Sequence, residues 1–202
     1  EIFIELGDES GLADVENSEG NLFIYMSDTV NAIRPYRNAF EIYSRLKRND
    51  RIRVAAYNLA YSYSALPNLD STKFFLKISE DLKTKKDDVP GFAVTQGLRG
   101  KIAYMEGDYA QAEKYFKESL DYYNSHKWQE SFVAYFESTL FLAKIFQSNG
   151  EIDEAIKILN ESIGSEAIYL GESLSRQVYI DLIKIYDARG DYFNSNRVFW
   201  SK

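Results

Sequence analysis

The sequence predicts an all-α fold, a right-handed solenoid in which helical hairpins stack one after another. Turn residues recur with separations of 40, 43 and 40 residues, at Pro67, Gly107, Gly150 and Gly190. A small side chain follows each turn residue by five positions, and a large apolar side chain follows it by nine. A fixed period of this size is typical of solenoids, in which each hairpin packs mainly against its neighbours.

The hairpin around Gly107 shows how one such unit forms. Gly107 suits the left-handed residue that ends a helix, and Asp108 can cap the helix that follows. Gly100 and Ala112 are small at points where the two helices must pack closely, and Phe116 belongs to an apolar stripe on the second helix. A single hairpin cannot bury that stripe, so it requires neighbours of the same kind.

The elements follow in chain order. Residues 1–20 are predicted to be an irregular lead-in, because turn-forming residues interrupt any apolar period. Residues 21–50 form a degenerate hairpin or half-repeat, in which Pro35 lies in the first turn of a helix. Four hairpins are then predicted in one continuous solenoid domain, over approximately 51–86, 90–125, 128–164 and 166–202.

Composition excludes several classes of function. The net charge of −7 argues against a broad nucleic-acid footprint and against adsorption to anionic lipid, and no run of eighteen apolar residues exists to span a membrane. The chain has no cysteine and only one histidine, His126, so thiol chemistry and a histidine pair for zinc are both absent. We therefore expect no cofactor, no metal, no nucleic-acid partner, no membrane insertion and no catalytic residues in this segment.

The turns at Gly107, Gly150 and Gly190, with their flanking positions, resemble the tetratricopeptide repeat. That family has Leu-Gly-x-x-Tyr in the first helix of each hairpin and Ala-x-x-x-Phe in the second. The resemblance covers roughly residues 51–202. This chain departs from the pattern in its longer period and at Pro67, where a glycine is expected. The extra residues are expected to lengthen the helices or the connections.

The resemblance implies that the first helix of each hairpin lines a concave groove for a protein or peptide. Family ligand contacts come chiefly from positions two, five, nine, twelve and thirteen of the repeat. At these positions the candidate groove residues are Tyr57, Tyr61, Lys101, Tyr104, Leu140, Lys144, Gln147, Ile180 and Lys184.

Two chemistries are open for this groove. Lys101, Lys144 and Lys184 share one repeat position, so they could receive a carboxylate or an acidic peptide. Lysines are also common on solvated helix faces. Tyr57 and Tyr61, together with Tyr104, could supply an aromatic groove instead. The carboxylate clamp of chaperone-binding family members is not reproduced, because its lysine and asparagine positions fall on Tyr57 and Tyr61.

The sequence therefore predicts a non-catalytic protein- or peptide-binding module. Its long repeats and aromatic content resemble sensor and regulatory regions of bacterial signalling proteins, which implies the sensing part of a larger protein. The alternative is a scaffold or assembly adaptor that forms oligomers, such as a homodimer, through an apolar C-terminal end at Phe199 and Trp200. Such an end is expected either where a longer protein has been truncated or where another copy docks.

Overall fold

The computed structural model describes residues 8–66, 68–82, 89–126, 132–163 and 172–200. These residues form ten α-helices and no strand, which confirms the all-α prediction. In chain order the helices are α1 Glu9–Tyr25, α2 Thr29–Arg45, α3 Asn49–Ala65, α4 Leu69–Asp81, α5 Val89–Met105, α6 Tyr109–His126, α7 Phe132–Ser148, α8 Ile152–Ile163, α9 Glu172–Ala188 and α10 Tyr192–Trp200.

The chain divides into two compact units, Glu1–Asp88 and Val89–Lys202. In unit 1, helices that follow one another in sequence pack together from α1 to α4. In unit 2, consecutive helices pack in the same way, and α7 also contacts both α5 and α9. The predicted single solenoid across both units stays a prediction.

The glycine turns form as the sequence predicts. Gly107, Gly150 and Gly190 have φ values of +80°, +81° and +72°, the left-handed conformation that glycine adopts without a steric cost. At the first of these turns the amide of Asp108 donates to the carbonyl of Ala103 at 2.9 Å, which closes the end of α5. The Asp108 carboxylate then accepts a hydrogen bond from the Gln111 amide at 3.0 Å, so the predicted cap on α6 is present.

The prediction of an irregular lead-in is wrong for residues 9–20, which belong to α1. Asp8 caps this helix by accepting a hydrogen bond from the Gly11 amide at 2.9 Å. Few apolar residues mark the helix in the sequence, because only Ala13 and Gly20 are buried along it. Packing against α2 stabilises the helix, and this packing cannot be recognised from the spacing of apolar residues in the sequence.

The predicted half-repeat is a complete hairpin formed by α1 and α2. Its turn includes Ser27, which has a φ of +60° and lies forty residues before Pro67. In the described residues this first hairpin is therefore complete, where the sequence predicted a degenerate one. Pro35 does not begin a helix as expected; it lies inside α2, where its side chain is buried.

Two glycines allow the helices of a hairpin to approach closely. A Cβ atom on Gly100 would lie 2.6 Å from the Phe116 ring, and a Cβ on Gly20 would overlap the Tyr36 ring. Both pairs join the first helix of a hairpin to the second at the same repeat position, sixteen residues apart in each case. The predicted close packing at Gly100 is confirmed, and the same device recurs in the first hairpin.

Buried tyrosines make the stability of unit 1 sensitive to alkaline pH. Tyr43 donates a hydrogen bond to Asp14 at 2.6 Å, and Tyr36 donates to Asn21 at 2.8 Å. Burial raises the pKa of both phenols above the ordinary value near 10, and the Asp14 carboxylate raises the pKa of Tyr43 further. The folded state therefore holds these protons more tightly than the unfolded state does.

We expect the free energy of unfolding of unit 1 to be constant through neutral pH and to fall as the pH rises above about 10. The unfolded chain then loses protons that the folded chain retains. Urea unfolding between pH 8 and pH 11 measures this slope, and Tyr43→Phe is expected to make it shallower. An unchanged slope in that variant would contradict this origin of the alkaline sensitivity.

Candidate binding face

The first helices of unit 2 lie side by side, because α7 contacts both α5 and α9. The three lysines predicted to share one repeat position lie on these helices, Lys101 on α5, Lys144 on α7 and Lys184 on α9. We call the surface that α5, α7 and α9 form around these positions the first-helix face. It contains six of the predicted groove residues, and its chemistry differs from one helix to the next.

Lys101 is used inside the fold. Its side chain is 10% exposed, and its Nζ lies 3.3 Å from a carboxylate oxygen of Glu137, which is 24% exposed. This ion pair joins α5 to α7 in a largely water-excluded place, where attraction between charges is stronger than in water. Lys101 therefore contributes to helix packing, and the predicted ladder of three equivalent exposed lysines is reduced to two.

Phe141 lies at the centre of the face, in contact with both neighbouring lysines. The Nζ of Lys144 lies 5.2 Å from the centre of this ring, and the Nζ of Lys101 lies at 5.8 Å. The Tyr104 ring packs edge-on against Phe141 with a centroid distance of 5.0 Å. The distances fit cation–π and aromatic contacts, and Lys144 itself is exposed.

The α9 part of the face is more polar. Lys184 has a side chain that is 71% exposed and lies 4.0 Å from Asp181, whose side chain is only 13% exposed. The Gln177 amide donates a hydrogen bond to the same carboxylate at 2.8 Å. Beside them Ile180 is half-buried, so an apolar side chain accompanies the charged ones.

Of the other predicted groove residues, one lies in the core, one lies on this face and two lie in unit 1. Leu140 is 7% exposed and packs in the core of unit 2, so its prediction as a groove contact is corrected. Gln147 is half-buried on α7. Tyr57 and Tyr61 are half-buried on α3, which belongs to unit 1, so a groove that includes them and unit 2 together stays a prediction.

The backbone of Phe199 and Trp200 belongs to α10, but the structure does not describe their side chains, so the predicted docking end stays a prediction. Among the residues that are described, no group of three or more acidic, histidine or cysteine side chains is arranged to hold a metal ion. Likewise, no described helix combines the length and the apolar character needed to cross a membrane.

Sequence reasoning missed Glu137, Phe141 and Asp181. Glu137 occupies position two of its repeat, where the resemblance implies ligand contact. This position was a signal from which Glu137 could have been predicted. Phe141 and Asp181 are both at position six, which the repeat pattern does not mark. Nothing in the spacing alone indicates their place on this face.

Comparison of the fold with solved structures finds helical repeat proteins along nearly the whole chain. A kinesin light chain with nearly identical tetratricopeptide-like repeats from Podosopora anserina has a TM-score of 0.61 at 13% identity, and the match covers 96% of this chain and 93% of that one. A Rap protein in complex with Competence and Sporulation Factor has a TM-score of 0.66 at 16% identity, with 96% and 63% covered.

The quorum sensor NprR from B. thuringiensis, in its apo form, has a TM-score of 0.54 at 18% identity, with 93% of this chain and 63% of that chain covered. No family model matches the sequence, and no curated protein matches it significantly. The identities are low, so these similarities concern the fold. The chain has the tetratricopeptide-like helical repeat fold.

Proposed function

We propose that this chain is a non-catalytic binding module, and that unit 2 holds a peptide segment of a partner on its first-helix face. The observation that carries the proposal is the exposed Lys144 ammonium on the Phe141 ring, with Lys184 exposed at the equivalent position of the adjacent helix. The two cations can bind carboxylates, and the half-buried ring offers an apolar contact on the α5 side of Lys144.

The spacing of the lysines limits the ligand. Packed helices lie about 8–10 Å apart, and an extended peptide advances about 3.3 Å per residue. A peptide crossing from α7 to α9 therefore places residues about three positions apart over Lys144 and Lys184. The ligand that fits best has two carboxylates at that separation, or one acidic residue and a C-terminal carboxylate, and an apolar side chain on the α5 side of Lys144, over Phe141.

The resident ion pairs do not prevent such binding. Lys184 lies 4.0 Å from Asp181 and is largely exposed, and ion pairs of this kind contribute little to stability. A ligand carboxylate can therefore approach this lysine at small cost. Lys101 is excluded from direct contact, because its ammonium group is buried against Glu137.

The solved structures support a regulatory setting for this activity. One of them is a Rap protein with Competence and Sporulation Factor bound, and another is a quorum sensor. The chain spans 63% of the length of each of these two proteins. We propose on this basis that the module serves as the sensing part of a larger protein, in which ligand binding shifts the population of an output state.

A random heptapeptide library selected against the wild-type chain tests the binding face. The strongest binder is expected to carry carboxylates, and Lys144→Ser/Lys184→Ser should lower its affinity at least tenfold at low salt, as measured by fluorescence anisotropy. Lys114→Ser/Lys77→Ser is the matched control, because both of these lysines are exposed on helices outside the face. An equal loss of affinity in the face variant and in the control variant would contradict the proposal. So would an unchanged affinity in the face variant.

A further inference from the structure

A second surface of unit 2 lies on the other side of α7. Helices α6, α7 and α8 enclose an open cleft of about 530 Å³. Leu142 and Phe146 of α7 line it. At 100° per residue, Lys144 is turned about 160° from Leu142 around the α7 axis, so the cleft and the first-helix face are separate.

A small residue lies on the floor of the cleft, at a position where another repeat has a large one. Thr139 lines the cleft, and its hydroxyl donates to the Tyr135 carbonyl of its own helix at 3.0 Å. The equivalent residue of α9, forty positions later, is Tyr179. Thr139 is fully buried, so it belongs to the floor of the cleft, between Leu120 of α6 and Ile158 of α8.

The rim of the cleft carries an excess of negative charge. Lys117 is 2.6 Å from Glu113, and Lys157 is 3.6 Å from Glu154, so each lysine is paired within its own helix. Four residues after each lysine comes an exposed carboxylate, Asp121 on α6 and Glu161 on α8. Among the described residues neither of these two carboxylates has an ion-pair partner, and both line the cleft.

The two walls present the periodicity of a helix-packing surface. The lining residues of α6 are spaced i, i+3, i+4 and i+7 from Lys117, and those of α8 follow the same spacing from Glu154. A third helix can place its own ridge between walls of this kind. Each wall is about 10 Å long, which corresponds to two helical turns, and the volume is in the range that holds a few side chains.

We propose that this cleft binds a short amphipathic helix of another protein, with an apolar stripe that enters between α6 and α8 and flanking lysines or arginines that meet Asp121 and Glu161. The apolar side chains displace water from the half-buried Tyr135 and Ile158, and the cations neutralise the two carboxylates. This interaction is independent of peptide binding on the first-helix face, since it uses the opposite side of α7.

The probe is a fluorescent fourteen-residue helix of alanine, leucine and lysine, with leucines spaced i, i+3, i+4 and i+7. Wild type should bind it, and Asp121→Lys/Glu161→Lys should weaken binding about tenfold at low salt. The matched control Glu41→Lys/Asp187→Lys makes the same change in net charge at exposed carboxylates outside the cleft, and should bind as wild type does. Lys144→Ser/Lys184→Ser should also bind normally, which separates this proposal from the previous one.

Equal weakening in both charge-reversal variants would show attraction to net charge alone and overturn the proposal. Equal affinity for a peptide of the same composition with its leucines scattered around the helix would overturn it as well. The absence of cysteine allows the place of binding to be checked with a single bimane label. A tryptophan in the probe should lower the fluorescence of a label at Asn124→Cys on the cleft, and should not change that of a label at the exposed Asn49→Cys on α3.

Discussion

Replacing Phe116 with alanine is expected to destabilise unit 2 by about 3–5 kcal/mol. The ring is 1% exposed, it stacks on Phe141 at a centroid distance of 5.5 Å, and it fills the space above Gly100. Truncation removes these contacts and leaves a cavity between α5, α6 and α7. Urea unfolding followed by circular dichroism measures the loss, with Phe74→Ala as a control because that side chain is 61% exposed.

The contact between Gly100 and Phe116 also predicts that substitutions at these two residues have non-additive effects on the free energy of unfolding. Gly100→Ala alone should cost about 1–3 kcal/mol, because the new Cβ would lie 2.6 Å from the Phe116 ring. In the Phe116→Ala background the added methyl enters empty space, and alanine favours the helix over glycine by about 1 kcal/mol. The second substitution should then be neutral or stabilising. Additive losses would contradict the close approach of α5 and α6 at this glycine.

Lys101→Ala is expected to destabilise unit 2 by about 2 kcal/mol and to leave the affinity for the selected heptapeptide unchanged. The substitution removes the ion pair with Glu137 and the contact with the Phe141 ring. Loss of one member of a buried ion pair costs about 3–5 kcal/mol, and the cost is smaller here because Glu137 is partly exposed. Urea unfolding gives the stability, and anisotropy with the selected heptapeptide gives the affinity.

Replacing both partners separates packing from ligand contact. Lys101→Met/Glu137→Gln keeps the side-chain volumes and leaves no unpaired charge at this place, so it should recover most of the lost stability. Lys144→Ala is the matched control, because this equivalent lysine is exposed and should change stability by less than about 0.5 kcal/mol. A Lys101→Ala variant with normal stability and much weaker peptide binding would contradict the structural role of Lys101.

Most of the fold could be predicted from the sequence, because the features that form each hairpin are local. A left-handed glycine such as Gly107 and a capping residue such as Asp108 act within one turn of chain. The first hairpin could be predicted only as a degenerate one over residues 21–50, because α1 buries only Ala13 and Gly20, and its turn has Ser27 in place of glycine. A helix that is stabilised mainly by packing against its partner has only a weak apolar periodicity in its own sequence.

The binding face could be predicted only in part, because the environment of each lysine depends on a residue one repeat away. Lys101 is buried since Glu137 stands at position two of the next first helix. The residue at that position in the following repeat is Gln177, which bonds to Asp181 on its own helix. Lys144 therefore stays exposed. Position in the repeat identified the lysines, whereas the pairing that distinguishes them required the structure.

The central claim, that a peptide binds on the first-helix face, is tested most directly by photo-crosslinking from single positions. Benzoylphenylalanine is introduced at Gln147 on this face, at Asn124 on the cleft, or at exposed Lys114 on α6, and each variant is irradiated with the selected heptapeptide. We predict a crosslink from Gln147 that competing unlabelled peptide abolishes, and none from the other two positions. Competed crosslinks from Asn124 or Lys114, with none from Gln147, would contradict the proposed binding face.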